Sequence, residues 1–347
     1  MDVVSLLVSA GANVNLPGPC SSAPLHLAVN VNSPELVSLL LSHGAVATAA
    51  LDDGTTALHC ACQTGDGCDV ATILLQHAAS LLCGTRENNA GITGITALHD
   101  ATEFADLMTV RVLLKHKIDV DAVTSTGITA LHLAAKLGYA DIVTELLLHG
   151  AKVDMLASDA KGSSVSPLHY AVENNHLAVV TSLLDAGVNA NVGRSYSGLE
   201  RVTCLHIAAT RQNVEMIRQL LAVPGIDVNA CDNDSATALH VAARGGFSDV
   251  TELLLQHGVD VNIGMTSGQS SNQTALHCAV RYRHVELARM LLAAGADVNA
   301  TEKMAAYKVP SGELLLLVFS QHNFPDLIQV RLGLHGRAIG DGCSRLI

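Results

Sequence analysis

A Leu-His pair recurs at near-constant intervals along the chain, at Leu25-His26, Leu58-His59, Leu98-His99, Leu131-His132, Leu168-His169, Leu205-His206, Leu239-His240 and Leu276-His277. Successive histidines of this series stand 33, 40, 33, 37, 37, 34 and 37 residues apart. A basic period of about 33 marks stacked units, each a supersecondary element that buries its apolar face only against its neighbours. Such an array grows without a central core, so 347 residues are expected to form one elongated domain rather than two globular ones.

The residues around each pair give the unit its internal order. Two positions before the leucine stand Thr56, Thr96, Thr129, Thr203, Thr237 and Thr274, with Ser166 in the fifth unit and Ala23 in the first. A hydroxyl there is placed to cap a helix, which is worth about 1 kcal/mol. Pro24 and Pro167 follow as first helical residues, where a missing N–H costs nothing. Apolar triplets at helical spacing, such as Leu39-Leu40-Leu41, Leu146-Leu147-Leu148, Leu253-Leu254-Leu255 and Met290-Leu291-Leu292, predict a second helix. It stops at Gly44, Gly150, Gly187, Gly258 and Gly295, the left-handed position that glycine fills without strain. A Val-Asn or Val-Asp step then opens the loop to the next unit, at residues 14–15, 120–121, 153–154, 228–229, 261–262 and 298–299.

Read whole, the fourth unit is Gly127-Ile-Thr-Ala-Leu-His-Leu-Ala-Ala-Lys-Leu-Gly-Tyr-Ala-Asp-Ile-Val-Thr-Glu-Leu-Leu-Leu-His-Gly150-Ala-Lys-Val-Asp154, and it resembles the ankyrin repeat at nearly every position. The resemblance covers most of the chain. It implies an all-α ankyrin-repeat α-solenoid of β-turn plus helix-turn-helix units. The ankyrin domain is expected over 1–300: a half-repeat at 1–15, then repeats near 22–49, 54–83, 94–123, 127–156, 164–192, 201–230, 235–263 and 272–300. Residues 301–347 are expected as a degenerate capping repeat, centred on 312–340, and a tail. A chain that begins mid-repeat points to an incomplete start or a domain boundary.

Every long step places its surplus between one unit's Val-Asn end and the next Leu-His, at roughly 84–93, 157–165, 193–201 and 264–272. In the family this stretch forms a finger-like turn at the edge of a concave surface. Such insertions are either tolerated slack, since doubling a loop costs only about 0.6 kcal/mol, or extended recognition fingers. Four on one edge favour recognition. The third unit departs most from the pattern: Asp100, Thr102 and Glu103 lie in its first helix, Lys117 replaces the stop glycine, and it follows the longest step. It is expected to be the soft joint of the stack.

Seventeen histidines invite a metal or catalytic reading, but eight are the Leu-His residues, and His43, His77, His116, His149 and His257 end second helices. His176 and His284 fall in turns, which leaves only His322 and His335 in the tail. In the family the Leu-His imidazole links turns by hydrogen bonds. His59-Cys60-Ala61-Cys62 with Cys68 lacks the paired Cys-x-x-Cys spacing of structural zinc. No cofactor or metal is expected, and with no phosphate loop, dinucleotide fingerprint or zinc-protease motif the chain is not read as an enzyme. Family asparagines in the Val-Asn step can be hydroxylated, and Asn15, Asn229, Asn262 and Asn299 match that context.

Function is therefore read as protein–protein interaction, a scaffold or adaptor binding its partner through the concave groove and fingers. The alternative is the substrate-recruiting part of a ubiquitin ligase or signalling assembly whose effector module is missing from this chain; 301–347 do not match a cullin-recruiting box. Residues expected to project onto the concave side are Glu103, Lys136, Tyr139, Glu173, Arg211, Arg244, Phe247, Arg281, Tyr282 and Arg283. Arg and aromatic side chains are the usual interface anchors, so Arg281-Tyr282-Arg283 with Arg244 is read either as a contact patch or as a solvated basic face. Net charge is −12, and residues 1–110 hold one basic residue, Arg86, against ten acidic ones. An acidic end repels nucleic acid and anionic lipid, so a partner with a basic segment near the N-terminal repeats is expected, with no nucleic acid and no membrane. The acidic start at Met1-Asp2 and the short run Leu314 to Phe319 suggest neither a secretory leader nor a span. Nine unpatterned cysteines fit a reducing compartment, so a cytoplasmic and also nuclear monomer is expected.

Overall fold

The computed structural model of the chain describes residues 2–18, 21–77, 85–87, 91–158, 164–196, 199–267, 270–300 and 303–304. The decayed repeat expected at 312–340, the tips of the four extensions, Cys20, Cys83, Cys343, His322 and His335 lie outside the described residues.

Helix α1 (Asp2–Ser9) stands alone, and after it the helices come in pairs. These are α2 (Pro24–Asn30) with α3 (Pro34–Ser42), α4 (Ala57–Gln63) with α5 (Cys68–His77), α6 (Ala97–Glu103) with α7 (Leu107–Lys115), and α8 (Ala130–Leu137) with α9 (Ala140–Leu148). The series continues with α10 (Pro167–Glu173) and α11 (Leu177–Asp185), α12 (Cys204–Thr210) and α13 (Val214–Leu221), α14 (Ala238–Gly245) and α15 (Ser248–Gln256), then α16 (Ala275–Arg281) and α17 (Val285–Ala293). Helices of seven to ten residues are too short to persist alone in water, so packing holds them. First helices stack on first helices and second on second: α2 on α4, α4 on α6, α6 on α8, α8 on α10, and in parallel α3 on α5 through to α11. The same double row runs from α12 through α14 to α16 and from α13 through α15 to α17. Two compact units result, Met1–Asn189 and a second that begins at Ala190.

Each junction is fixed by residues in the left-handed region. One follows the first helix: Asn32, Gly65, Ala105, Gly138, Asn175, Gln212, Gly246 and Arg283 all have φ between 48° and 84°. A second follows the second helix, where Gly44, Gly150, Gly187, Gly225, Gly258 and Gly295 are joined by Lys117 at φ 59°. A third stands two residues before the helix cap, as at Gly54, Gly94, Gly127, Arg201, Ser235 and Asn272.

The extensions fold as antiparallel hairpins. Strands β1 (Ala157–Ser158) and β2 (Ser164–Val165) pair in the fifth repeat, and β3 (Arg194–Tyr196) with β4 (Leu199–Val202) in the sixth. In the eighth, β5 (Met265–Ser267) pairs with β6 (Ser270–Gln273), which also takes β7 (Lys303–Met304) on its other edge. The extension at 84–93 makes a single bridge, Arg86 with Ile95.

The third repeat, expected as the softest point, packs α6 between α4 and α8 and α7 between α5 and α9. Arg111 of α7 also meets Glu145 of α9 at 2.6 Å. What sets this repeat apart is polarity inside it: Asp100, Thr102, Asp106 and Thr109 are all buried.

Candidate functional site

The repeated histidines are consumed by the frame. In all eight repeats the Leu-His imidazole accepts, at Nδ1, the backbone N–H of the cap residue three positions back, as at Thr129 to His132 (3.2 Å) and Thr203 to His206 (3.2 Å). An accepting Nδ1 leaves the proton on Nε2, which donates to a carbonyl across the junction: His59 to Ile95 at 3.2 Å, His99 to Ile128 at 3.0 Å, His206 to Ala236 at 2.9 Å and His240 to Gln273 at 3.1 Å. His132 reaches both Met155 and Val165, at 3.0 and 3.2 Å. The cap hydroxyl accepts the orphan helix N–H at Thr129 and Ser166, from His132 at 3.3 Å and His169 at 3.4 Å. Burial lowers the basicity of His26, His59, His99 and His206, and pushes His132 and His240 down to about 4.

The other described histidines are structural too. His43, His77, His116, His149 and His257 contact, through Nδ1, the carbonyl four residues back at 2.8 to 3.0 Å, in the last turns of the second helices. His176 and His284 donate backward to the preceding first helix, to the Lys136 carbonyl at 3.1 Å and the Arg244 carbonyl at 3.2 Å. Each ring lies against a glycine, Gly138 and Gly246, where a Cβ would stand 2.5 Å from ring atoms. Among the described residues no group of three or more His, Cys, Asp or Glu is placed to hold a metal. Burial raises the thiols of Cys60 and Cys204 to about 11 and about 12, the opposite of what a reactive cysteine needs.

One ion pair is also part of the frame. Arg86, in the finger before the third repeat, closes on Asp100 with its guanidinium, Nε to Oδ2 at 2.9 Å, and their side chains are 11% and 0% exposed. Asp100 sits at the helix position filled by Leu133, Val241 and Cys278 in other repeats. The sequence carried a signal for it, since Arg86 is the lone basic residue of 1–110, yet the two stand 14 residues apart.

What the frame leaves over is the exposed end of each first helix and the turn after it. Glu103, Lys136 and Tyr139 lie there in the first unit; Arg211, Arg244, Phe247, Arg281, Tyr282 and Arg283 lie there in the second. Glu103, Lys136, Arg211, Arg244, Arg281 and Arg283 are exposed, Tyr282 is half exposed, and Tyr139, Glu173 and Phe247 are half-buried. The Lys136 ammonium lies 5.8 Å over the Tyr170 ring of the next repeat. Tyr282 stacks on His284, with ring centroids 6.5 Å apart. With the Gln273 amide oxygen turned toward it, Arg281 donates from Nη1 and Nη2 at 2.7 and 3.1 Å, so the finger holds that guanidinium in place. Large apolar side chains share the same repeat positions in the first unit and were missed in sequence: Leu27, Val31, Phe104 and Leu137 are 58%, 67%, 48% and 39% exposed. The signal was available for Val31, Phe104 and Leu137, which stand five residues after the Leu-His histidine, where other repeats carry Thr64, Asn174 and Arg211.

No described helix is long and apolar enough to cross a membrane. The family model for ankyrin repeats in three copies matches residues 1–83, 77–157, 168–265 and 205–302. The chain is similar to an ankyrin repeat protein of Fowlpox virus (33% identical over 123 residues, 35% of this chain and 36% of the viral protein). It is similar over comparable lengths to human B-cell lymphoma 3 protein (33%; 35% of this chain, 26% of the relative) and to porcine NF-kappa-B inhibitor alpha (36%; 35% and 38%). It thus spans well under half the length of these relatives. Both the family match and the helix pairs stacked within each unit lead to one statement: the chain belongs to the ankyrin repeat family.

Proposed function

We propose that this chain is a protein-interaction scaffold that receives its partner on the first-helix face and the finger hairpins, without catalysis of its own. One observation carries the reading: large apolar or basic side chains are exposed at the same one or two positions of successive repeats. Val31, Phe104 and Leu137 recur in the first unit, and Arg211, Arg244, Arg281 and Tyr282 in the second. A rigid, repeated frame also keeps the ordering cost of association low. A basic segment of the partner would lie against the acidic first repeats. Cys60, Cys62, Cys204 and Cys278, buried as free thiols, support a cytoplasmic and nuclear setting.

Affinity capture from cells with the intact chain tests the reading. Phe104→Glu with Leu137→Glu, and separately Arg281→Glu with Arg283→Glu, should each release partner proteins that the parent chain retains. Partners unchanged by both variants would overturn the assignment.

A further inference from the structure

Resting on that reading, the charge arrangement of the second unit specifies the partner's chemistry. First helices α12, α14 and α16 and the turns that follow them, residues 204–213, 238–247 and 275–284, contain no Asp or Glu. They carry Arg211, Arg244, Arg281 and Arg283. The described acidic residues of this unit are on second helices, as Glu215, Asp249, Glu252 and Glu286, in the Val-Asn turns, as Asp227, Asp260 and Asp297, or in the fingers ahead of the first helices, as Glu200, Asp232 and Asp234, of which Asp232 is buried. The corresponding segments of the first unit show no such sorting: Asp66, Glu103 and Glu173 stand there beside Lys136. Segregation within a chain of net charge −12 therefore singles out one face of three repeats.

The arginines are also placed. Arg281 is held by Gln273 of the finger, which is 2% exposed. Arg283 sits at φ 64°, the position where Gly138 and Gly246 relieve the backbone, so a side chain is kept there at a cost of about 1 kcal/mol. Guanidinium forks favour carboxylates, which they bind with two parallel hydrogen bonds, and the turns after α14 and α16 also carry Phe247, half-buried, and Tyr282, exposed.

We propose that the first-helix face of the second unit binds an acidic, extended segment of a partner protein whose carboxylates recur at every third residue. The spacing follows from packing. Arg244 and Arg281 occupy the same position of α14 and α16, which pack directly on each other. Neighbouring helix axes lie about 8–10 Å apart, and an extended chain advances about 3.3 Å per residue, so one repeat matches about three residues. Nucleic acid offers phosphates at other spacings and would meet the acidic second helices as its duplex widened beyond this strip.

The test uses the intact chain and two labelled synthetic 12-residue peptides of one composition, one with Glu at every third position and one with the glutamates clustered at an end. Fluorescence anisotropy should show the spaced peptide binding about tenfold more tightly, weakening as salt rises. Arg244→Glu with Arg281→Glu should abolish binding, while Arg289→Glu on α17 leaves it, with circular dichroism confirming that both variants are folded. Equal binding of the two peptides, or equally tight binding of a single-stranded oligonucleotide, would overturn the proposal. If neither peptide binds while cell-derived partners are still captured and are lost on Phe104→Glu, the acidic segment is refuted and the scaffold reading stands.

Discussion

Lys117 closes α7 at φ 59°, where six other repeats place glycine. A β-carbon there costs about 1 kcal/mol, so Lys117→Gly should raise the melting temperature by about 2 °C in calorimetry. No rise would mean the lysine side chain contributes contacts that offset the strain. Asp100 presents the opposite case, a charge with no exposure whose cost is offset by Arg86. Removing one partner of such a pair leaves an uncompensated buried charge, which costs about 3 kcal/mol, whereas replacing both with apolar groups is nearly neutral. Arg86→Met should therefore lower stability in urea unfolding by about that amount, and adding Asp100→Leu should restore most of it. Equal loss in the single and double variants would show that the finger, and not the charge, is what Arg86 supports.

At the scale of the helix pair, the unit is held by backward-reaching side chains more than by its own helices. Gly138 and Gly150 separate two costs, because both have φ near 85°, yet a Cβ at Gly138 meets the His176 ring at 2.5 Å while one at Gly150 meets nothing within 4 Å. Gly150→Ala should lose the backbone cost alone, about 1 kcal/mol, and Gly138→Ala clearly more, since the ring must leave the Lys136 carbonyl. Similar melting temperatures for the two would sink the junction role given to His176. The helix pairs were legible because capping hydroxyls, Leu-His and the stop glycines act within 30 residues of one another. The left-handed residue after each first helix was not, since Asn32, Ala105, Gln212 and Arg283 share a conformation and no side-chain type.

Across the molecule the histidines act together. Burial holds His26, His59, His99, His132, His206 and His240 below the ordinary imidazole range, so they are neutral when folded and would take up protons on unfolding. The stability they carry is complete above about pH 6.5 and is lost as pH falls from there toward about 4, where folded and unfolded forms both protonate. For His132 and His240, brought from 6.5 to about 4, this amounts to about 3 kcal/mol each. Melting temperature should stay level from pH 8 to 7 and drop steeply between pH 6 and 4.5; a profile flat to pH 4.5 would contradict burial of these rings.

The sequence by itself determined the repeat, its two helices, the place of every extension and the structural fate of its histidines, because each depends on contacts within one period or between identical neighbours. It also marked Arg244, Arg281, Tyr282 and Arg283 as side chains at positions that vary between repeats. Only the tertiary structure decided that Asp100 is neutralised by a finger residue, that Gln273 holds Arg281, and that the first helices carrying Arg244 and Arg281 pack side by side. Those outcomes depend on which residues stacking brings side by side. A period fixes where each repeat begins, but the variable positions acquire neighbours only when the repeats are packed.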